Sequence, residues 1–236
     1  MADIDYIEQN GQKFIHVSTI ATAEANEQFM ANVNLVQQQR QALVALSQIL
    51  SPKEKETMAA SIKERENALN KNNAQMTKAY GFSLLRNYLH QIVTSQVFLK
   101  LTDEEYNKAK EEGVAADQFI VKGNDKFRLI AKIPGAVANE QFRYNVQVMQ
   151  AQRNRLVQMN NALAQMADGE EKTKFQDETK AFAERLDADN KTMIEKYGFS
   201  LTRNYLLQVV ESKLYTAVTE EEFLKAQTAA EAPKAE

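Results

Sequence analysis

The chain has 236 residues, of which 44% are hydrophobic and 26% charged, and its formal net charge is −3. Seven glycines and three prolines are too few for a collagen-like or a Pro/Gly-rich disordered protein. Without cysteine, the chain cannot form disulfides, cysteine–zinc sites or thiol nucleophiles. The charge balance predicts that nucleic acid is not a partner. The absence of a long apolar run and of a Sec signal predicts no membrane span, with a place in the cytoplasm or in an assembled particle.

Each half of the chain opens with a pattern typical of a β-hairpin. In the first half, two alternating segments between Tyr6 and Val17 flank Asn10-Gly11. In the second half, Phe119 to Ile130 flank Gly123-Asn124. Both dipeptides supply the residues with positive φ that two-residue hairpin turns require. We therefore expect a small β element at each start.

A long helix is predicted after each hairpin, over residues 25–50 and again over 138–167. Apolar residues recur at steps of three and four in both segments, which is typical of a coiled-coil seam. Arg40 and Arg153 fall within these seams. Each arginine either sets the register between paired helices or lays its stem along the rim of the pair, with its charged end in water.

A second helix is predicted over 52–79 and over 169–196. Each follows a residue that can cap an N-terminus and ends at a glycine suited to the left-handed C-terminal conformation. The predicted caps are Ser51 and Asp168 at the N-termini, and Gly81 and Gly198 at the C-termini. The short links between the helices predict antiparallel pairs.

Residues 84–101 fit either one helical face or alternating strands. The capping-box sequence at residues 102–105 needs an extended residue before it, so strands near 88–93 and 97–101 are favoured. A similar box recurs at 219–222, which predicts a short helix at the end of each half. The acidic residues in these boxes are either hard-cation ligands or, more commonly, charges that stabilise helix N-termini.

Two anchors reveal an internal duplication. Asn26-Glu27-Gln28-Phe29 recurs as Asn139-Glu140-Gln141-Phe142, at an offset of 113 residues, and 17 of 40 surrounding pairs are identical. Tyr80-Gly81-Phe82-Ser83-Leu84 recurs from Tyr197 at an offset of 117, with 17 of 30 pairs identical. The offset grows by four residues, about one helical turn, which predicts a longer helix pair in the second copy.

The predicted fold class is α+β and predominantly helical, with helix over roughly 55–65% of the chain. Two tandem homologous repeats are expected, each a small β element with a long antiparallel helix pair. Residues 1–112 form the first repeat, in the order β-hairpin, helix pair, strands and short helix. Residues 113–226 form the second in the same order, and the Ala-rich residues 227–236 are predicted to be a disordered tail.

Catalytic chemistry is not indicated. His16 and His90 align with Leu129 and Leu207 in the other repeat, which favours ordinary packing positions. Motifs for zinc hydrolysis, a serine nucleophile, phosphate loops and dinucleotides are missing. We therefore expect no enzyme activity, no cofactor and no metal.

The longest shared string, Tyr-Gly-Phe-Ser-Leu-x-Arg-Asn-Tyr-Leu, occupies residues 80–89 and 197–206. As a recognition site, it would present Arg86 and Arg203 as anion contacts. The structural alternative is that the string ends one helix and packs beneath the pair.

Glutamine-rich stretches on the first helix of each repeat are further candidates. They contain Gln37 and Gln150, and form either a neutral solvent face or a lateral contact surface without charge repulsion. Leu46 belongs to an apolar row that a helix partner on one side leaves uncovered.

The leading functional interpretation is a non-enzymatic structural protein that self-associates through helix faces and sheet edges. A duplicated unit presents similar surfaces twice, which suits a homo-oligomer or polymer such as a ring, tube, shell or filament. The alternative is a chaperone- or adaptor-like module that binds other proteins with helical arms on a β body.

Overall fold

The computed structural model describes the backbone of residues 4–231 and the side chains of residues 4–230. About 60% of this part of the chain is helical, in seven α-helices, and six strands form an antiparallel sheet. The fold class predicted from the sequence, α+β with a predominance of helix, is confirmed.

The first half contains a hairpin, a helix pair with one interruption, a long strand and a short helix. In chain order these are β1 (Tyr6–Gln9), β2 (Gln12–Ile20), α1 (Ala23–Ile49), α2 (Pro52–Thr57), α3 (Ala59–Tyr80), β3 (Tyr88–Leu101) and α4 (Asp103–Glu111).

After a 3-10 turn at Ala116–Gln118, the second half follows the same order without the interruption. Its elements are β4 (Phe119–Lys122), β5 (Asp125–Pro134), α5 (Ala136–Gln165), α6 (Glu170–Tyr197), β6 (Tyr205–Val218) and α7 (Glu220–Glu231). The strands are ordered β1-β2-β6-β3-β5-β4 in the sheet.

The two hairpin turns form as predicted, with different geometries. Asn10 and Gly11 both have positive φ, 53° and 73°, as a type I′ turn requires. In the second turn Gly123 has a φ of 61°, whereas Asn124 is not among the positive-φ residues, which matches type II′.

Three predicted boundaries need correction. The helix predicted over 52–79 is interrupted at Met58, whose φ of −96° and ψ of 5° depart from helical values, although its N–H still donates to the Glu54 carbonyl. The region 88–101 is one continuous strand rather than two. Helix α7 extends through Glu231, so residues 227–231 are not a disordered tail. Residues 232–236 lie outside the described residues.

Three of the four predicted helix caps are present, and Asp168 is the exception. Ser51 forms a full capping box with Glu54, while Gly81 and Gly198 end their helices in the left-handed conformation. Helix α6 begins after Gly169, which offers no side-chain cap. The Asp168 carboxylate instead accepts a hydrogen bond from Lys172 Nζ at 2.6 Å, because it lies one residue too early to reach the first free amides.

The chain divides into two compact units, Met1–Val93 with Val209–Glu236, and Thr94–Gln208. Each unit contains residues from both sides of the boundary between residues 112 and 113, which separates the predicted repeats. Within the first unit β2 pairs with β6 of the second half, and within the second unit β5 pairs with β3 of the first half. Each unit is therefore completed by a strand from the other half of the sequence.

The exchanged strands have the same register in both units. Lys13 faces Val218 in the first unit, and Lys126, 113 residues later, faces Leu101, which lies 117 residues before Val218. The ladder shifts once in each unit, between His16 and Ser18 in one and between Val97 and Phe98 in the other; these positions correspond under the same two offsets.

One ion pair in each unit joins residues at corresponding positions. Lys13 Nζ lies 2.8 Å from a Glu220 carboxylate oxygen in the first unit, and Lys126 Nζ lies 2.7 Å from an Asp103 oxygen in the second. Both pairs join residues from opposite halves of the sequence. The short helix that follows each exchanged strand therefore begins beside the hairpin of the other half. An ion pair holds the helix to that hairpin.

Each unit has its own core at the base of its helix pair. The first is built around Phe29, Val36, Met76 and Leu214, and the second around Phe142, Met149, Met193 and Val97. Beyond Val36, α1 has no buried residue. The outer part of the first helix pair is therefore stabilised by contacts between its own helices, with half-buried side chains such as Leu43 and Leu46.

Candidate functional site

The repeated string forms a tightly bonded turn after each helix pair. In the first unit the Tyr88 hydroxyl accepts the Ser83 backbone N–H at 2.7 Å and donates to the Gly81 carbonyl at 3.0 Å. Asn73 Oδ1, on α3, accepts the N–H of Leu84 at 2.8 Å. The second unit repeats these bonds with Tyr205, Ser200, Gly198, Asn190 and Leu201. The string therefore holds a turn in place, in agreement with the structural alternative.

Arg40 and Arg153 contact this same turn. Arg40 Nη1 lies 3.5 Å from the Leu84 carbonyl oxygen, and Arg153 Nη1 donates to the Leu201 carbonyl at 3.0 Å. Both side chains are exposed. The arginines satisfy backbone acceptors at the rim of the helix pair, so the rim alternative describes them better than a register role.

A polar pair inside each helix pair occupies the position next to the arginine. Asn72 Nδ2 donates to Gln39 Oε1 at 3.1 Å in the first unit, and Gln152 Nε2 lies 3.4 Å from Asp189 Oδ2 in the second. A partly buried polar pair favours the one register in which its members meet. The signal was present in the sequence, since Gln39 recurs as Gln152 at the offset of 113.

Arg86 and Arg203 bind carboxylates rather than remaining open to an anion. Arg86 Nη2 lies 2.7 Å from Glu222, and Arg203 Nη2 lies 2.9 Å from Glu105 and 3.1 Å from the Lys100 carbonyl oxygen. Glu105 and Glu222 are also the acidic members of the predicted capping boxes, both of which form. The acidic clusters are thus explained by helix N-termini and ion pairs.

These contacts lower the pKa of both glutamates. For Glu105 the main cause is the hydrogen bond from the Thr102 backbone N–H, followed by the charge of Arg203; for Glu222 the Thr219 N–H and Arg86 act in the same way. A carboxyl whose pKa is lower in the folded state stabilises the fold above its unfolded pKa. That contribution is lost as the pH falls through the folded pKa.

The double variant Glu105→Gln and Glu222→Gln is therefore expected to be less stable than the wild type at pH 7, and the difference should shrink as the pH falls below 4.5 through the lowered folded pKa of the two groups. Urea unfolding across this range measures the difference. Glu104→Gln is the control, since the Glu104 carboxylate takes part in neither the capping box nor the arginine pair. A stability difference that does not change between pH 7 and acidic pH would contradict the assignment.

Both histidines pack against aromatic rings. His16 Nε2 lies 3.0 Å from the Thr19 hydroxyl and its ring packs against Tyr215, while the His90 ring lies 5.4 Å from that of Phe29. Within residues 4–230 no group of three or more metal-binding side chains is brought together. Among the helices of the described chain, none is long and apolar enough to cross a membrane.

A stripe on the outer surface of α1 contains two of the predicted interaction residues. The outer stripe, as we call it, has helical spacing and consists of Gln37, Arg40, Gln41, Val44, Ala45 and Gln48. Val44 is 48% exposed. Leu46 is half-buried and does not belong to this stripe.

Gln150 lies in a different environment, a groove of about 760 Å³ in the second unit. One wall is the face of α5 that carries Glu140, Arg143, Gln147 and Gln150. The floor and the opposite wall are largely apolar, with Val97, Phe142, Phe199, Tyr205 and Leu207.

Two buried asparagines were not recognised as structural residues from the sequence, where they only mark the duplication. Asn26 and Asn139 are each 2% exposed, and each oxygen accepts a hydrogen bond from a buried serine, Ser212 or Ser95, of the opposite half. The sequence did contain one indication of their role, since an asparagine three residues before a phenylalanine occurs in both halves.

No protein family, curated protein or solved structure is found to match this chain.

Proposed function

We propose that the chain is a tandem duplication and acts as a non-enzymatic structural protein that assembles with other copies of itself. The outer stripe of α1 is the main contact. The outermost strands of the sheet order, β1 and β4, are the places where a further strand can add. The product is a homo-oligomer or polymer in the cytoplasm or in an assembled particle.

The observation that carries this proposal is an exposed helix surface almost without charge. Between Gln28 and Ile49 the only charged residue is Arg40, yet Leu35, Val44 and Ile49 are 45%, 48% and 73% exposed. Solvated helix faces are normally rich in charge, whereas the centres of interfaces are depleted of it. This surface therefore resembles an interface more than a solvated face.

A second copy is the partner that fits this surface best. The outer stripe carries a single charge, on Arg40, whose guanidinium is directed to the Leu84 carbonyl, so two stripes meet with little charge repulsion. A two-fold contact places the same residues on both sides. The amide side chains of Gln37, Gln41 and Gln48 can donate and accept hydrogen bonds with their own counterparts. The duplication offers a related helix, α5, for contacts in a second direction.

The test is the mass in solution of the wild type and of a variant with Val44→Glu and Ala45→Glu. Light scattering after size-exclusion chromatography, at micromolar to hundreds of micromolar protein, is expected to give multiples of 26.8 kDa for the wild type. The variant is expected to give a single chain mass with an unchanged circular-dichroism spectrum.

Leu85→Glu is the matched control, because Leu85 is an apolar side chain that is 90% exposed and lies outside the stripe. It is expected to assemble like the wild type. A wild type that stays at 26.8 kDa throughout, or a stripe variant that still assembles, overturns the proposal.

The exposed apolar side chains of the first helix pair also favour the second candidate, a chaperone- or adaptor-like binder. Ile49 and Met58 lie at the far end of this pair, away from the core of the unit. Flexible methionine and aliphatic side chains suit varied apolar clients. This function predicts a small closed oligomer or monomer that suppresses the aggregation of reduced α-lactalbumin, and Ile49→Glu with Met58→Glu should abolish that suppression.

A further inference from the structure

The groove of the second unit is a candidate binding site at a surface separate from the outer stripe of α1. It lies between the N-terminal half of α5 and the segment that follows α6. Phe142 and Phe199 are buried at its floor, while Leu207 is 37% exposed. The apolar floor is therefore accessible in part, as a ligand site requires.

The length of the groove sets how much of an extended peptide it can hold. The wall from Glu140 to Gln150 spans ten residues of helix, about 15 Å at ~1.5 Å per residue. An extended peptide fits, and about four or five residues at ~3.3 Å each span the wall.

The rim supplies polar groups that suit a peptide. Gln147, Gln150 and Asn204 offer amide donors and acceptors to a peptide backbone. Tyr144 is 61% exposed at the rim. Tyrosine and arginine are enriched among the residues that contribute most to protein–protein binding, so the composition of the rim is that of a contact site.

Charge complementarity indicates what the peptide carries. Among the described side chains, Arg143 has no ion-pair or hydrogen-bond partner, whereas Arg203 at the other side of the groove is occupied by Glu105. An unpaired guanidinium beside an apolar floor is suited to a carboxylate, which it can bind with two parallel hydrogen bonds. Glu140 is the one acidic side chain of the lining and disfavours a second carboxylate next to it.

The corresponding positions of α1 lack these groups. Counted back by 113 residues, Arg143 and Tyr144 become Met30 and Ala31, while Phe142 remains phenylalanine as Phe29. The apolar floor residue is thus common to both halves, but the charged and aromatic rim exists only in the second. The two positions of α1 provide matched controls.

We propose that this groove binds an extended peptide segment of a partner protein. The segment is four or five residues long, with apolar side chains on the floor and a carboxylate on Arg143. The proposal goes beyond self-assembly and does not depend on it, because none of the residues involved belongs to the outer stripe of α1.

The test uses two pools of fluorescein-labelled pentapeptides, each with Leu, Val or Phe at positions 1, 3 and 5. One pool has Asp or Glu at position 2 or 4 and Ser at the other, and the second pool has Lys in place of the acid. Fluorescence anisotropy with the full chain is expected to show the acidic pool binding at least about tenfold more tightly than the lysine pool.

Arg143→Glu is expected to weaken binding of the acidic pool at least tenfold and to bring the lysine pool to the affinity that the acidic pool has for the wild type. Tyr144→Ala should weaken both pools, and Met30→Glu should change neither. Circular dichroism confirms that each variant is folded. The absence of binding by either pool at millimolar protein, or acidic binding that survives both groove substitutions, overturns the proposal. Neither outcome bears on the mass measurement that tests assembly.

Discussion

Asn26→Leu and Asn139→Leu are each expected to destabilise the protein by about 3 kcal/mol or more. Asn26 Nδ2 donates to the carbonyls of Ile20 and Thr22 at 3.0 and 2.9 Å. Its oxygen accepts the Ser212 hydroxyl at 2.5 Å. Leucine has the same number of side-chain heavy atoms but needs more space, and it leaves the Ile20 carbonyl and the Ser212 hydroxyl without this partner. In the unfolded chain both groups form hydrogen bonds to water, so their burial without a partner is unfavourable.

The second unit repeats the arrangement. Asn139 Nδ2 donates to the carbonyls of Ile133 and Gly135 at 2.9 and 2.8 Å, and its oxygen accepts the hydroxyl of Ser95. Since Ser95 and Asn139 come from opposite halves of the sequence, the substitution weakens the exchange of strands as well as the start of α5.

Equilibrium urea unfolding followed by circular dichroism measures these losses. Asn107→Leu is the control, because Asn107 lies on the exposed face of α4 and should change the free energy of unfolding by less than about 0.5 kcal/mol. A loss below 1 kcal/mol for both buried asparagines would show that the surrounding groups find other partners.

Gly81→Val and Gly198→Val are expected to destabilise the protein by about 2–3 kcal/mol each. Gly81 has a φ of 70° and Gly198 a φ of 64°, a conformation that is strained by about 1–2 kcal/mol in other residues. A Cβ atom at Gly81 would lie 3.2 Å from Val17 Cβ, and one at Gly198 would lie 3.3 Å from Ile130 Cδ1. The added side chain therefore meets the neighbouring strand in both units.

Gly113→Val separates the two causes. Gly113 has a φ of 81°, but nothing lies within 4 Å of a Cβ atom placed there. Thermal and urea unfolding should show the backbone cost alone for this variant and a larger loss for the other two. Equal losses at all three positions would mean that contact with Val17 and Ile130 adds nothing.

Local patterns were sufficient to predict most elements. Asn10-Gly11 and Gly123-Asn124 specify two-residue turns because few other residues adopt positive φ without strain. The apolar spacing of three and four residues identified both helix pairs, and the capping boxes at Thr102 and Thr219 located the starts of α4 and α7. These features depend on residues within one or two turns of one another, so the sequence contains all of the necessary information.

Predictions failed where the deciding partner is distant in sequence. Residues 84–101 looked ambiguous because their apolar groups serve two cores: Leu84 and Tyr88 pack against the core of the first unit, and Val97 belongs to that of the second. One strand, β3, contributes residues to both units. Similarly, Arg86 and Arg203 resembled open anion contacts because their glutamate partners lie 136 and 98 residues away.

The sequence by itself determined the class of fold, the order of the elements, the two hairpin turns and three of the four predicted helix caps. The registers of β2 with β6 and of β5 with β3 correspond under the two offsets between the halves. Only the tertiary structure decided that the hairpin of each half pairs with the long strand of the other half. The hydrogen bonds between strands are made by the backbone, so they do not specify which of two similar strands pairs with a given hairpin. The partner is the strand whose pairing buries the apolar side chains of both cores. The floor and rim of the groove also could not be predicted from the sequence. Val97, Phe142 and Phe199 lie on three separate segments, which approach one another only in the folded chain.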